Sequence, residues 1–262
     1  MDLAYTISGF VVGFIVGLTG VGGGSLMTPI LVLLFGIKPA IAVGTDLLYA
    51  AITKCGGIWV HHRQRTINWR IVRIMSAGSL PASALTVWTL KHFHDRGIDY
   101  TGLITSTLGI ALILTSMVLL YKKQLVDFSL KEQFSALRSI HSRLKTPITF
   151  IVGVFLGVLV TLSSVGAGAL GAATLFFIYP RLPAVSIVGT DLAHAVPLTA
   201  VAGLGHAHLG TVDFVLLGSL LVGSLPGIYL GSHLGIRLPE HIVRPILASM
   251  LLIIGARFTF SF

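Results

Sequence analysis

Charged residues are scarce in this sequence of 262 residues. Only 10% of the residues are Asp, Glu, Lys or Arg, whereas 54% are hydrophobic and the mean hydropathy is +0.92. Because a soluble domain carries about 25% charged residues, this chain cannot cover a water-facing surface. The same figures exclude a disordered chain, a coiled coil, collagen and a small disulfide scaffold. The composition predicts a polytopic membrane protein.

Acidic residues and cysteine are scarcer still. The 9 Asp and Glu are outnumbered by 18 Lys and Arg, which gives a formal net charge of +9. Because the basic residues lie in short connectors between long apolar runs, we interpret them as orientation signals and expect no nucleic-acid partner. The one cysteine, Cys55, cannot form an intramolecular disulfide. The start Met1-Asp2-Leu3 has no basic n-region, so we expect a first membrane segment rather than a cleaved signal peptide.

Motifs for enzyme chemistry are missing as well. The sequence has no G-x-x-x-x-G-K-[ST] loop, which excludes an internal ATPase, and Gly22-Gly23-Gly24 follows no predicted strand. No nucleophile–His–acid grouping and no Cys/His metal cluster stand out. The spacing of His206 and His208 is better explained by ordinary interfacial histidines than by a metal site. We predict no enzyme activity, no cofactor and no metal.

Apolar segments of two lengths make up the chain. A bilayer span needs about 20 predominantly apolar residues, and six segments fit one span each: 40–60, 71–90, 102–121, 185–205, 214–235 and 243–262. Segments 3–35 and 148–179 are too long, since each would reach roughly 50 Å as one helix. Glycine-rich sequences interrupt both, at 19–25 and 163–168, and glycine favours helix breaks. We interpret both as broken hairpins.

The sequence also contains an internal repeat. Val21-Gly22-x-Gly24 recurs as Val165-Gly166-x-Gly168, 144 residues later. At an offset of 145, Gly44-Thr45-Asp46-Leu47 recurs as Gly189-Thr190-Asp191-Leu192, and Gly78-Ser79-Leu80-Pro81 recurs as Gly223-Ser224-Leu225-Pro226. We predict two transmembrane repeats, residues 1–121 and 147–262, joined by a linker at 122–146.

The distribution of basic residues favours an inverted orientation of the two repeats. If each broken segment is a hairpin followed by three single spans, the odd number of crossings inverts the second repeat. Thirteen basic residues then share one side with four on the other, against about 11 and 6 for parallel repeats. We predict an all-α polytopic protein of two inverted repeats, with both termini outside and the linker cytoplasmic. Six basic residues and helically spaced apolar residues predict that the linker is an amphipathic interfacial helix.

The two glycine-rich breaks are the first candidate site. Irregular backbone at membrane depth persists only where protein buries it or water lines it, and half-helices meeting near the midplane are a recurring transporter design. Helices restarting after the breaks would point free N–H groups at a small anion. The candidate substrate-binding residues of the two breaks are Thr19, Gly22, Gly23, Gly24, Ser25, Ser163, Ser164, Gly166 and Gly168. Alternatively, the glycines only permit close helix packing.

Ionisable residues inside apolar segments are the second candidate. Asp46 and Asp191 follow the paired Thr45 and Thr190, which we add to the substrate-binding set, and Asp191 shares a helix face with His194. These acids either couple transport to protons and gate it, together with His194, or cap a neighbouring half-helix. Lys54 stands opposite the neutral Thr199 in the repeat. It either supplies positive charge for an anion, or pairs with Asp46, or extends towards the interface.

These motifs together resemble the TauE/SafE family of membrane permeases, the sulfite exporters. The resemblance rests on Gly-Leu-Thr-Gly-Val-Gly-Gly-Gly at 17–24 with Pro29, and on the two Gly-Thr-Asp motifs. Leu-Ser-Ser-Val-Gly-Ala-Gly at 162–168 and Gly-Ser-Leu-Pro at 223–226 complete it. It implies a multi-pass inner-membrane permease that moves sulfite, related sulfur oxyanions or organosulfonates outward.

We therefore expect a secondary transporter for small sulfur-containing anions, with proton coupling as one possibility. The alternative is an uncoupled anion channel or uniporter of the same architecture. The expected partners are the anionic substrate and the lipid bilayer. A homodimer stays open, because small-residue faces serve contacts within and between subunits alike.

Overall fold

The computed structural model describes the backbone of residues 3–19, 24–130, 135–234 and 240–260, and the side chains of these residues except 19, 24–25, 122–130, 135–143, 234 and 240–244. This part of the chain contains ten α-helices and no strand. The helices are α1 (Leu3–Thr19), α2 (Gly24–Leu33), α3 (Pro39–Arg63), α4 (Trp69–Asp95), α5 (Thr101–Leu130), α6 (Ser135–Ser163), α7 (Ala169–Ile178), α8 (Ala184–His208), α9 (Phe214–Leu234) and α10 (Glu240–Phe260).

Six of the described helices are long and apolar enough to cross a membrane. They include all of α3, α4 and α8, residues Thr101–Tyr121 of α5, Leu144–Ser163 of α6 and Phe214–His233 of α9. Large apolar side chains cover the outside, as at Leu85 and Ile253, which are 62% and 71% exposed. Apolar side chains facing outward are suited to lipid rather than water. The predicted all-helical, multi-pass membrane architecture is confirmed.

Helix ends coincide with both predicted interruptions. Helix α1 ends at Thr19 and α2 begins at Gly24, while α6 ends at Ser163 and α7 begins at Ala169. Gly166 and Gly168 have φ values of 113° and 135°, a region that side chains with a Cβ rarely adopt. With 10 residues each, α2 and α7 are about 15 Å long. A helix of this length can cross about half of a hydrocarbon core of about 30 Å.

Close helix pairs form the scaffold around the two short helices. Helix α1 runs parallel to α9, with Gly13 against the backbone of Ser224, and α4 runs parallel to α6, with Gly157 against the backbone of Ser79. These glycines therefore lie where a side chain would separate the helices.

Two further helix pairs are antiparallel. Gly44 near the start of α3 lies beside His206 near the end of α8, and Gly57 near the end of α3 lies beside Leu192. In the other pair, the hydroxyl of Ser116 in α5 donates to the carbonyl of Ala248 in α10 at 2.7 Å. Helices α3 and α8 hold equivalent positions in the sequence repeat, as do α5 and α10.

Individual contacts also recur at the offset of the repeat. The backbone N–H of Asn68 donates to Thr190 Oγ1 at 2.9 Å, and that of Asp213 donates to Thr45 Oγ1 at 3.0 Å. Asn68 and Asp213 are 145 residues apart, as are Thr45 and Thr190. One bond thus joins the connector after α3 to α8, and the other joins the connector after α8 to α3.

The predicted linker is helical where its backbone is described. Helix α5 continues to Leu130 and α6 begins at Ser135. The side chains of residues 122–143 lie outside the described part. The amphipathic interfacial character of the linker therefore stays a prediction.

Candidate functional site

A cluster of buried polar side chains lies at the centre of the helix bundle, beside the break between α6 and α7. Four of its members are ionisable, namely Asp46 and Lys54 of α3 and Asp191 and His194 of α8. None of the four is more than 8% exposed. The antiparallel pairing of α3 with α8 brings these residues together, although they come from opposite halves of the chain.

Lys54 connects this cluster to the helix break. Its Nζ donates a hydrogen bond to the carbonyl oxygen of Ala167 at 2.7 Å, and its charge interacts with the carboxylates of Asp191 and Asp46. The ammonium group is therefore held inside the bundle and does not extend to the interface. Of the three predicted roles, supplying positive charge for an anion is compatible with this position. Lys54 makes no direct ion pair with Asp46, and its one hydrogen bond among the described residues goes to Ala167.

Asp46 lies against the short helix α2. The hydroxyl of Thr28 donates to Asp46 Oδ2 at 2.5 Å. Asp46 Oδ1 and the hydroxyl of Ser164 are buried side by side, and neither makes a hydrogen bond of good geometry with a described residue. One carboxylate oxygen is thus fixed by the half-helix, and the other remains available beside the break.

Asp191 lies against the other short helix, α7. A methyl group placed on Gly171, the third residue of α7, would overlap Asp191 Oδ1. The carboxylate therefore lies beside the first turn of the helix, where its charge is favourable to the helix dipole. This geometry suits the predicted capping role and keeps the predicted coupling role open, since Asp191 Oδ1 has no partner among the described residues.

His194 pairs with a residue of α4. Its Nε2 lies 2.8 Å from the hydroxyl of Ser79, and its Nδ1 is buried without a partner in the described part of the chain. In the first repeat, Tyr49 holds the position that His194 holds in the second, and Ser224 is its neighbour as Ser79 is that of His194. Each repeat thus contributes one ring and the serine of one Gly-Ser-Leu-Pro motif.

Unpaired polar atoms concentrate in this cluster. Of six buried side-chain atoms without a partner among the described residues, five belong to it: Asp46 Oδ1, Tyr49 OH, Ser164 Oγ, Asp191 Oδ1 and His194 Nδ1. Buried polar atoms are normally hydrogen-bonded, and leaving one unpaired costs about 1–3 kcal/mol. Polar atoms of this kind in one buried cluster can bind a small polar ligand or hold protons.

Several predicted site residues have other contacts. Thr45 and Thr190 accept the connector bonds described above, so their hydroxyls lie away from the cluster. The hydroxyl of Ser163 donates to the carbonyl of Leu159 at 2.6 Å and accepts from the N–H of Val165. Ser163 therefore stabilises the end of α6.

The remaining predicted residues belong to the two breaks. Ser164, Gly166 and Gly168 form the break that adjoins the cluster. At the first break, Gly22, Gly23 and the side chains of Thr19 and Ser25 lie outside the described residues, and Gly24 is described only as the first residue of α2.

Sequence reasoning did not single out three partners in the cluster. These are Thr28, the carbonyl of Ala167 and Ser79. Two of them had a signal: Ser79 belongs to the repeated Gly-Ser-Leu-Pro motif, and Ala167 lies within the predicted break at 163–168.

His206 has both ring nitrogens engaged. Nε2 lies 3.0 Å from the carbonyl of Thr161, and Nδ1 lies 2.9 Å from Thr211 Oγ1. A metal ligand needs a free nitrogen. The described residues contain no group of three His, Cys, Asp or Glu side chains suited to a metal ion.

Comparisons with known proteins agree with the resemblance noted in the sequence. The model of the sulfite exporter TauE/SafE family matches residues 5–258. The probable membrane transporter protein YjnA of Bacillus subtilis is 38% identical over 98% of this chain and 99% of its own length. A second protein of B. subtilis, the probable membrane transporter protein YdhB, is 28% identical over 93% of this chain and 97% of its own length.

Another bacterium also has a similar protein. A probable membrane transporter protein of Haemophilus influenzae is 30% identical over 87% of this chain and 80% of its own length. No solved structure has significant similarity to the chain. The family match and the relatives cover nearly all of the sequence and agree with its multi-pass helical fold. This chain is a membrane transporter of the TauE/SafE sulfite exporter family.

Proposed function

We propose that the chain is a secondary transporter that exports sulfite, or a related small sulfur oxyanion or organosulfonate, across the cell inner membrane. The observation that carries the proposal is the buried ammonium of Lys54, which donates to the helix break and lies in one cluster with Asp46, Asp191 and His194. A membrane interior tolerates such a group where it has a function. The family description supports the choice of a sulfur oxyanion.

The anion would bind between Lys54 and the break. Its oxygens would replace the carbonyl of Ala167 as the partner of the ammonium and would accept a hydrogen bond from Ser164. The start of α7 at Ala169 follows the break directly, and its positive helix dipole would add to the attraction. The anion would accept hydrogen bonds from Lys54 and Ser164, and its affinity would rise when Asp46 and Asp191 are protonated and no longer repel it.

Protons would be exchanged at the carboxylates and the histidine. Asp46, Asp191 and His194 each hold one unpaired polar atom in the described structure. A proton on Asp191 would remove a negative charge next to Lys54 and so favour an anion there. Release of that proton would favour release of the anion, which couples the two movements.

Two inverted repeats would provide alternating access. The antiparallel pairing of α3 with α8 and of α5 with α10 supports this arrangement, because equivalent helices of inverted repeats cross in opposite directions. The distribution of basic residues supports termini outside and a cytoplasmic linker. Rocking one repeat against the other would expose the cluster to each side in turn.

Sulfite flux from proteoliposomes tests the proposal. With an imposed pH gradient, we expect wild type to move sulfite against its own gradient. Lys54→Met should reduce flux at least tenfold, because charged hydrogen bonds contribute about 1.5–3 kcal/mol. Asp191→Asn should abolish the effect of pH. Lys91→Met removes the same charge at an exposed site and should keep wild-type flux.

Two results would contradict parts of the proposal. Sulfite flux that never exceeds the sulfite gradient would indicate an uncoupled channel or uniporter and leave Asp191 a capping residue. Equal flux in the Lys54 and Lys91 variants would place the anion elsewhere. If sulfite does not move in wild type, the same assay with methanesulfonate, an organosulfonate anion, tests whether the central cluster carries the larger class of sulfur anions.

A further inference from the structure

A second polar cavity lies apart from the central cluster. It has a volume of about 250 Å³ and lies between the start of α4, the apolar part of α6 and the connector after α7. Its polar lining consists of Asn68, Arg70, Lys145, Thr146 and Tyr179. No function discussed above uses these side chains.

The free groups in this cavity are almost all hydrogen-bond donors. Arg70 has no ion pair or hydrogen bond with any described residue, and Lys145 contacts only the face of the Tyr179 ring, 5.6 Å from its centroid. Asn68 Oδ1 already accepts from the N–H of Ile71 at 3.3 Å, which leaves its NH₂ group. Two unpaired cations, an amide NH₂ and the hydroxyl of Thr146 form a donor set for an oxyanion.

The depth of the cavity points to a lipid. Arg70 is the second residue of the membrane-spanning helix α4, and Lys145 is the second residue of the span Leu144–Ser163. Both cations therefore lie where a span meets the headgroup region, and Tyr179 is of a type enriched there. Ile74 and Leu182 line the same cavity and offer an apolar surface below the charges.

We propose that this cavity binds the phosphate group of an anionic phospholipid. Basic pockets between membrane helices on the cytoplasmic side bind such headgroups, and this is the face that the basic connectors predict to be cytoplasmic. The other use of the two cations is to offset the negative end of α7, whose last turn precedes Tyr179. That use requires no lipid.

A charge-matched pair of variants separates these explanations. Both side chains are exposed, but Arg70→Gln removes a cation that lines the cavity, whereas Arg73→Gln removes a guanidinium one turn further along the same helix, outside the cavity. The readout is native mass spectrometry of the purified full chain with added phosphatidylglycerol or phosphatidylcholine. We expect phosphatidylglycerol binding to weaken about tenfold in Arg70→Gln and less than twofold in Arg73→Gln. Phosphatidylcholine binding should be weak in all three proteins.

Further measurements keep the proposal open to refutation. Lys145→Gln should repeat the effect of Arg70→Gln, and Arg70→Lys should keep most of the binding, which separates lost charge from misfolding. Equal phosphatidylglycerol binding in Arg70→Gln and Arg73→Gln would overturn the proposal and assign the cations to α7. Competition by millimolar inorganic phosphate as effective as by phosphatidylglycerol would also overturn it, in favour of a free anion.

Discussion

Adding a methyl group to Gly13 or Gly157 tests the close helix packing of this fold. On Gly13 the new Cβ would lie 2.5 Å from the carbonyl oxygen and 2.7 Å from the Cα of Ser224. On Gly157 it would lie 2.9 Å from the Cα of Ser79. The atoms in the way belong to backbone, which cannot rotate aside as a side chain can. Each substitution to alanine must therefore push two paired helices apart.

The expected loss follows from comparison with a glycine that has space. A Cβ on Gly218 would have no atom within 4 Å, and Gly218 lies in α9, the helix that contacts Gly13. Both substitutions gain the same helix propensity, about 1 kcal/mol. The difference between them is therefore the overpacking cost alone, about 1–3 kcal/mol. We expect the melting temperature of Gly13→Ala to lie below that of wild type or close to it. The melting temperature of Gly218→Ala should lie above that of wild type.

Thermal unfolding of the detergent-purified variants measures this difference. At about 2–4 °C per kcal/mol, Gly13→Ala should melt several degrees below Gly218→Ala. Gly157→Ala should match Gly13→Ala, since the two residues are equivalent in the repeat and meet equivalent serines. Equal melting temperatures for Gly13→Ala and Gly218→Ala would refute the close approach of α1 and α9. A loss confined to one of the two equivalent glycines would refute the equivalence.

Two more predictions concern the repeat. Thr190→Val removes the acceptor of the Asn68 N–H and should lower the free energy of unfolding by about 1 kcal/mol. Backbone amides of residues 64–68 should then exchange hydrogen faster, whereas Thr190→Ser should behave as wild type. Unchanged exchange in Thr190→Val would contradict the hydrogen bond. Single cysteines at Gln64 and Gly210, in a Cys55→Ser background, should react with a membrane-impermeant reagent from opposite sides of the membrane. Labelling of both from one side would rule out inverted repeats.

The membrane helices could be predicted closely from the sequence because the bilayer sets their length. The predicted span 71–90 lies inside α4, and 185–205 lies inside α8. The helices run past the predicted ends where polar residues continue the helix beyond the apolar stretch, as at His92 and His94 of α4. The apolar composition of a segment predicts only the part that lies in the hydrocarbon core. The helix itself can continue into the interface, because its backbone hydrogen bonds do not end there.

The ionisable residues of the central cluster could also be predicted, because a charge inside an apolar segment is conspicuous. Their partners could not. Lys54 and Ala167 are 113 residues apart, and Ser79 and His194 are 115 apart, so only helix packing brings them together. Thr45 lies in a conspicuous motif too, but its hydroxyl accepts a hydrogen bond from the connector residue Asp213 rather than from a member of the cluster. A sequence motif therefore identifies important residues but does not show whether a residue stabilises the fold or belongs to the central cluster.

Scaffold residues and cluster residues can be told apart by whether their contacts occur in both repeats. Scaffold contacts recur in both repeats, as in the bonds to Thr45 and Thr190 and in the glycine contacts of α1 and α6. At the centre the equivalence fails, because Lys54 stands opposite Thr199 and Tyr49 opposite His194.

Under the proposed mechanism, each repeat adopts the conformation of the other when the transporter changes from one open side to the other. This exchange requires that the two repeats have equivalent helix contacts. A single bound anion imposes no such requirement, since one ammonium suffices to hold it and a second would trap it. A second central lysine would also add another buried ionisable group, which is costly in a membrane. An anion site shared by two equivalent repeats is therefore expected to be asymmetric in its charges, and Lys54 lies where that asymmetry is greatest.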